Sequence, residues 1–340
     1  MRVVLLLLVV SSLTVGCAHT AMVQTWEPAT IDVAGMNRVA VVTFQGDSGP
    51  AVAASLNSQL WENGFYEVVD ASGIQSHIVR AGYETMDPID PNEILGPARQ
   101  AGLDGILMGE VVEYRCDDER FDSSHIHIGS DAVEDDHGKY SSTGFGIETN
   151  STLVRDGSVA IAFKLVDVRT GEIRAAKTVS HHFHGEVVNG NGRIPSQGEV
   201  LEALTTQCLD EIVCMVAPHQ EMARMKLAKC DLWVRGRSQV ASGIKLARDG
   251  DWNAADELWK AAIKNHPGNH AALYNRALAA MARQDYETAE NFAMEALKVQ
   301  HKSDYAKGLA SIRKYRATYE TSQRQKVQSQ LVSTDEADWR

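Results

Sequence analysis

Hydrophobic positions run along this chain in two rhythms. From Val39 to Phe44 they form an unbroken, largely β-branched run, the pattern of a strand covered on both faces. Gly46-Asp47-Ser48-Gly49-Pro50 breaks the run and opens a helix, with Pro50 suited to its first position and Ser48 or Gly49 to its cap. Val52, Leu56 and Leu60 then recur every four residues, a stripe that can lie on a sheet. Asn63-Gly64 stops that helix, and Phe65 to Asp70 returns as a strand. A strand, helix, strand unit of this size implies a parallel pair.

The same texture continues for another 150 residues. Ser72 to Arg80 reads as a short helix closed by Gly82, and Asp90-Pro91-Asn92-Glu93 opens a helix that ends at Gly102. Gly105 to Val112 supplies a third parallel strand. Residues 115–157 hold ten acids against four bases and many Ser and Gly, so they read as an insertion, either a loop or an extended hairpin. Val159 to Val168 alternates as a half-exposed strand, Thr170-Gly171 turns it, and Ile173 to Phe183 returns antiparallel. Leu201, Leu204, Cys208, Ile212 and Met215 fall at helical spacing until Pro218, and Glu221 to Leu227 reads as an edge strand. The expected class is α/β (α+β), a mixed sheet with helices over 37–230, followed by an all-α carboxy-terminal domain.

That second domain repeats itself. Gly250-Asp251-Trp252 recurs 34 residues later as Gln284-Asp285-Tyr286, Ala255 as Ala289 and Ala262 as Ala296. This resembles the tetratricopeptide repeat, whose period is about 34 residues. The repeats span 236–269 and 270–303, the second ending in His301 where Pro is usual. A capping helix reaches to about 320, and 321–340 is a polar tail expected to fray. Gly243, Gly250, Trp252, Ala255, Trp259, Ala262, Pro267, Ala277, Tyr286, Ala289 and Ala296 are assigned to building the repeats. The resemblance implies a concave groove that binds another protein, and Asn275 and Arg276 are assigned to face that ligand.

Over about 37–227, the order RVAVVTF, FYEVVD, AGLDGILMGEVVEY and VAIAFKLVDVRTGEI resembles the periplasmic domain of the curli secretion protein CsgG. The TolB amino-terminal domain and the lipoprotein activators of penicillin-binding proteins are similar. The most specific piece is Leu165 to Ile173, a strand, a Gly turn and the start of a partner strand, which marks a fold and not a chemistry. The resemblance implies a periplasmic setting and homo-oligomerisation.

The amino terminus agrees. Arg2, the apolar run Val3 to Val10, too short to span a bilayer, and the small and polar residues before Cys17 resemble a bacterial lipoprotein signal, although Thr14 stands where Leu is preferred. Residues 1–16 would be removed, Cys17 would carry lipid, and 17–36 would be a tether. Ala18 resembles the residue that sends lipoproteins to the periplasmic face of the outer membrane.

Charge narrows the partners. Forty-five acids against 33 bases give a net charge of -12, which disfavours nucleic acid and anionic lipid surfaces. Cys116, Cys208, Cys214 and Cys230 match no zinc or redox spacing, and their pairing is not readable. Cys208 and Cys214 point in different directions on one helix.

Four stretches could carry chemistry. Gly46 to Pro50 is like a serine-protease loop but lacks His and Asp partners upstream, and lacks the lysine and glycines of a phosphate loop. His125 and His127, like His182 and His184, would share a strand face and could hold a metal if the two segments were neighbours. Asp117-Asp118-Glu119 and Glu134-Asp135-Asp136 lack calcium-loop spacing. The expectation is therefore a non-enzyme without cofactor, a scaffold or regulator of an envelope assembly. The alternative is a curli-type outer-membrane pore whose strands come from 115–157 and 174–194. Asp131, Glu134, Asp135, Asp136, Lys177 and His181 count against it, because charge on a lipid face costs about 2 to 4 kcal/mol at mid-bilayer.

Overall fold

The computed structural model describes residues 19–71, 91–129, 133–134, 140–141 and 144–335. In chain order its elements are β1 (Thr20–Glu27), β2 (Arg38–Gln45), α1 (Gly49–Asn63), β3 (Glu67–Val68), α2 (Pro91–Gln100), β4 (Gly105–Gly129), β5 (Val133–Glu134) and β6 (Tyr140–Ser141). Then come β7 (Gly144–Asp167), β8 (Ile173–Val188), α3 (Gln197–Val216), β9 (His219–Lys226) and five helices: α4 (Arg237–Arg248), α5 (Trp252–Asn265), α6 (His270–Ala282), α7 (Tyr286–Val299) and α8 (Ser303–Asp335). They form two compact units, one of Pro28–His219 with the residues from Ser322, the other of the residues through Glu27 with Gln220–Thr321. No described helix is long and apolar enough to cross a membrane.

The first unit is a mixed five-stranded sheet in the order β3-β2-β4-β7-β8. β2 lies parallel to both β3 and β4, and β7 and β8 add antiparallel. Both faces of β2 are covered, which is why its apolar run does not alternate. Val39, Val41 and Phe44 pack under Val52, Leu56 and Leu60 of α1 and the buried stripe of α3. Ala40 and Val42 face Ile94, Leu95 and Ala98 of α2. A capping box starts α3: Glu199 N–H donates to Ser196 Oγ at 3.2 Å, and Ser196 N–H donates to the Glu199 carboxylate at 2.6 Å.

The Leu165 to Ile173 piece has a structural cause. Asp167 is fully buried at the turn, where its carboxylate accepts Arg169 N–H at 2.9 Å, Thr170 N–H at 3.2 Å and Arg174 Nη2 at 2.8 Å. Burial by itself would raise its pKa. The Arg174 hydrogen bond, with those from Thr170 and Arg169, outweighs burial and holds the carboxyl below its ordinary value.

The insertion is the extended hairpin. β4 and β7 pair from Gly105 opposite Asp167 to Gly129 opposite Gly144, and β8 follows β7 as far as Val188 opposite Thr152, beyond the expected end at Phe183. Gly157 is needed where α3 crosses, because a Cβ there would lie 2.5 Å from Val200. Beside it Arg155, 9% exposed, grips Asp118 through two bonds of 2.6 Å.

The stretch expected to be a tether belongs to the two cores. Ala21, Val23 and Thr25 alternate inward along β1, and Ala29, Ile31, Val33 and Met36 are buried in the α/β unit. The edge strand expected near 221–227 exists as β9, paired with β1 and not with the large sheet. The tail also differs from expectation, since α8 continues through Thr321 to Asp335. Gln325 fixes it by exchanging two hydrogen bonds with the Ala29 backbone, at 3.0 and 3.1 Å. The helix expected at 72–80 lies outside the described residues.

The helical unit follows the 34-residue period. Asp251 caps α5 and Asp285 caps α7, each carboxylate accepting the N–H three residues on, at 2.9 and 3.1 Å. The residues before them, Gly250 and Gln284, both take left-handed backbone, at φ 88° and 63°. Ala255, Ala262, Ala277, Ala289 and Ala296 are fully buried where helices touch. Gly243 is small because Trp259, also fully buried, lies against it. Gly250 and Pro267 are exposed, so they act on the backbone and not through packing.

Candidate functional site

In the helical unit the first helices of the two pairs, α4 and α6, carry an extended part of the same chain. Ala21 and Val23 of β1, with Met225 and Leu227, share one core with Val240, Ile244, Ala271, Tyr274 and Leu278. Side chains then hold Lys226, Ala228, Cys230 and Asp231 in turn. Lys226 Nζ meets Asp304 at 2.7 Å. Asn275 Nδ2 donates to the Ala228 carbonyl at 2.9 Å, and its Oδ1 accepts the Ala228 N–H at 2.7 Å. One amide thus reads both polar groups of one residue, as a neighbouring strand would.

The next contacts come from the start of α6. Asn269, fully buried, caps the helix by accepting Ala272 N–H at 3.0 Å, accepts the Cys230 thiol at 3.2 Å and donates to the Arg235 carbonyl at 3.1 Å. His270 Nε2 lies 3.3 Å from Asp231, and its Nδ1 lies 2.6 Å from the Tyr305 hydroxyl. Lys302 closes on Asp231 at 3.6 Å. Burial, and then the Lys302 charge, lowers the His270 pKa. Burial pushes the Cys230 thiol up.

This corrects the assignment of Asn275 and Arg276 to a ligand face. Asn275 is fully buried against Ala228. Arg276 donates Nε to Asp256 at 2.8 Å with its guanidinium 4.3 Å from the Phe292 ring, and Arg283 reaches the other oxygen of Asp256 at 3.3 Å. Asp256 is only 8% exposed, so Arg276 belongs to an internal ion cluster. Helical spacing placed both on α6 but could not say which side of α6 another segment would cover.

The histidine hypothesis also fails on register. His125 and His127 stand opposite Glu148 and Gly146, whereas His182 and His184 stand opposite Ser158 and Asp156. His182 Nδ1 is 2.9 Å from Ser158 Oγ and His184 Nδ1 is 2.6 Å from Asp156. Ser158 pairs with Arg115, so the two histidine pairs are separated by about ten positions, roughly 33 Å along the ribbon. Among the described residues no three potential metal ligands converge. Asp118 is paired with Arg155, and the side chains of 134–136 lie outside the described residues, as does Cys17. The Gly46 to Pro50 turn is steric: a Cβ at Gly49 would overlap the Phe44 carbonyl, and Ser48 makes no side-chain cap bond. The four described cysteines are free thiols, with burial raising that of Cys208 to about 11.

No protein-family model matches this chain, and no curated protein does. Several solved structures are similar to it. A PelC dodecamer from Paraburkholderia phytofirmans matches at 17% identity over 58% of this chain and 97% of its own, with a TM-score of 0.27. The carboxy-terminal domain of LpoB from Salmonella enterica matches at 15% over 44% and 87%, with a TM-score of 0.25. Lipoprotein GNA1162 from Neisseria meningitidis matches at 16% over 51% and 99%, with a TM-score of 0.28. Superpositions this loose carry no part of the functional argument.

Asn269, His270 and Tyr305 were not singled out from sequence. Asn269 carried a signal, standing at a helix start two residues after Pro267, but its second and third hydrogen bonds depend on a segment some 40 residues away.

Proposed function

We propose that this chain is a bacterial envelope lipoprotein, anchored through Cys17 at the periplasmic face of the outer membrane, that serves as a non-catalytic scaffold or regulator of an envelope protein assembly. The observation that carries the reading is the use made of the repeat helices. They hold an extended segment by apolar packing and by the Asn275 amide, which is recognition chemistry without a reactive group. Because that face is committed to Met225–Asp231, a partner protein engages the exposed sides of α5 and α7 or the free edge of β8. β8 ends the sheet among the described residues and offers backbone groups to a second copy or another strand. Comparison of palmitate labelling between wild type and Cys17→Ser tests the anchor, and equal labelling refutes it. A pulldown from detergent-solubilised envelopes tests the scaffold. Recovery of the chain alone, under conditions that preserve known envelope complexes, counts against it.

A curli-type oligomeric pore is the second reading, favoured by the length of the β4/β7 hairpin and of β8. Arg115, Asp117, Lys177 and His182 are charged or polar positions on these strands, and each would recur in every subunit of a ring. Reproducible stepwise conductance in planar bilayers, lost on deleting 121–152, would reverse the ranking.

A further inference from the structure

The chain as a whole is acidic, but one face of the helical unit is not. His19, Lys229, Arg237, Lys245 and Arg248 surround a cavity of about 280 Å³, and no acid lines it. Its apolar floor is Val240, Ala241 and Ile244 of α4, with Cys230. None of the four Lys and Arg side chains forms an ion pair with a described residue, and all four are exposed. The nearby Asp231 is occupied by His270 and Lys302. Burial, and then the charges of Lys229 and Arg248, holds the His19 imidazole below its ordinary pKa, so the positive field is felt inside the cavity.

Apolar surface stands beside this charge. The chain leaves the cavity at Cys230 and returns at Arg237, and the intervening loop carries Leu232 at 68% and Trp233 at 95% exposure, together with the exposed Arg235. An indole left in water is costly, whereas at a bilayer interface its ring meets the acyl boundary and its N–H the headgroups. Lysine and arginine near a leaflet are attracted by anionic phosphates. His19 places the cavity at the amino-terminal end of the described chain, two residues from Cys17.

We propose that this face, comprising the cationic cavity and the Leu232-Trp233 loop, docks on an anionic phospholipid bilayer, with lipid phosphates at Lys229, Arg237, Lys245 and Arg248 and Trp233 at the interface. The proposal reverses the expectation drawn from net charge, because a membrane reads the local face and not the sum over the molecule. It also supplies a second contact with the membrane beside the lipid anchor proposed at Cys17. Its test does not depend on the anchor reading.

The experiment uses the unlipidated chain from Ala18 onward, which keeps every described residue, in sedimentation with vesicles of phosphatidylcholine alone or with about one third phosphatidylglycerol. Binding is expected only to the anionic vesicles and is expected to fall with added salt. Lys245→Gln with Arg248→Gln should weaken partitioning on the order of 10- to 30-fold. Trp233→Phe should abolish most of the vesicle-induced blue shift in tryptophan emission while circular dichroism stays unchanged. Equal binding to both vesicle types, or anionic binding untouched by the double variant, overturns the proposal. Inorganic phosphate that stabilises the protein, with no sedimentation on vesicles, would assign the cavity to a soluble phosphate and also overturn it. Failure of palmitate labelling at Cys17 leaves this assay unaffected, so the two readings fail separately.

Discussion

Removing the Asn275 amide is expected to release the segment that the repeat helices hold. Asn275→Ala deletes two hydrogen bonds, 2.9 and 2.7 Å long, to one residue's carbonyl and N–H. Each is worth about 1 kcal/mol net, and leaving a buried partner unsatisfied costs about 1 to 3 kcal/mol. Ala228 is half-buried, so water reaches part of the vacated site and the lower end of that range applies. The sum is about 2 to 4 kcal/mol, which for a unit of this size is a fall in melting temperature of roughly 10 °C. Circular dichroism at 222 nm measures it. Loss should also be local before it is global, so trypsin should cut after Lys226 and Lys229 faster than in wild type under native conditions. Asn275→Asp sharpens the test, because a carboxylate still accepts from Ala228 N–H but opposes the Ala228 carbonyl and buries a charge. It should be at least as damaging as Ala. A loss below about 0.5 kcal/mol for both variants, no larger than an exposed control such as Lys260→Ala, would refute the account of the groove.

Three further outcomes follow from the packing. Gly243→Ala places a Cβ about where Trp259 Cε2 would be only 2.7 Å away, and the ring is fully buried. Overpacking of about 1 to 3 kcal/mol should exceed the helix-propensity gain of about 1 kcal/mol, so chemical denaturation should show net destabilisation. Gln284→Gly should raise the melting temperature, since it relieves a left-handed residue at φ 63° in a place where the first repeat has Gly250. Asp167→Asn should cost about 1 to 3 kcal/mol at neutral pH, because it removes the charge that Arg174 Nη2 meets at 2.8 Å while Arg174 Nη1 keeps Asp32 at 3.0 Å. The Asp167 pKa is lowered on folding, so its stabilisation is present above the ordinary carboxylate value near 4 and is lost as the pH falls through the lower folded value. Acid titration of stability should therefore be less steep below about pH 4 in Asp167→Asn than in wild type, and parallel curves would exclude the linkage.

Much of the molecule was legible because its signals are local. The apolar run of β2, the stripe Val52, Leu56 and Leu60, and the 34-residue recurrence all report contacts inside one element or between neighbours. The stretch 17–36 shows where such reading stops. Ala21, Val23 and Thr25 alternate as a strand should, but one short polar-flanked alternation does not reveal a partner two hundred residues on, and β9 is that partner.

The amino-acid sequence by itself determined the strand, helix, strand core of the first unit, the helices of the second and the repeat period, because propensity, caps and periodicity act over a few residues. Only the tertiary structure decided which side of α6 is covered, how far His125 stands from His182, and that the cations Lys229, Arg237, Lys245 and Arg248 meet around one cavity on an acidic protein. Those facts depend on register and on pairings distant in the chain, and a one-residue slip or a different packing of one segment would change each of them without altering any local pattern.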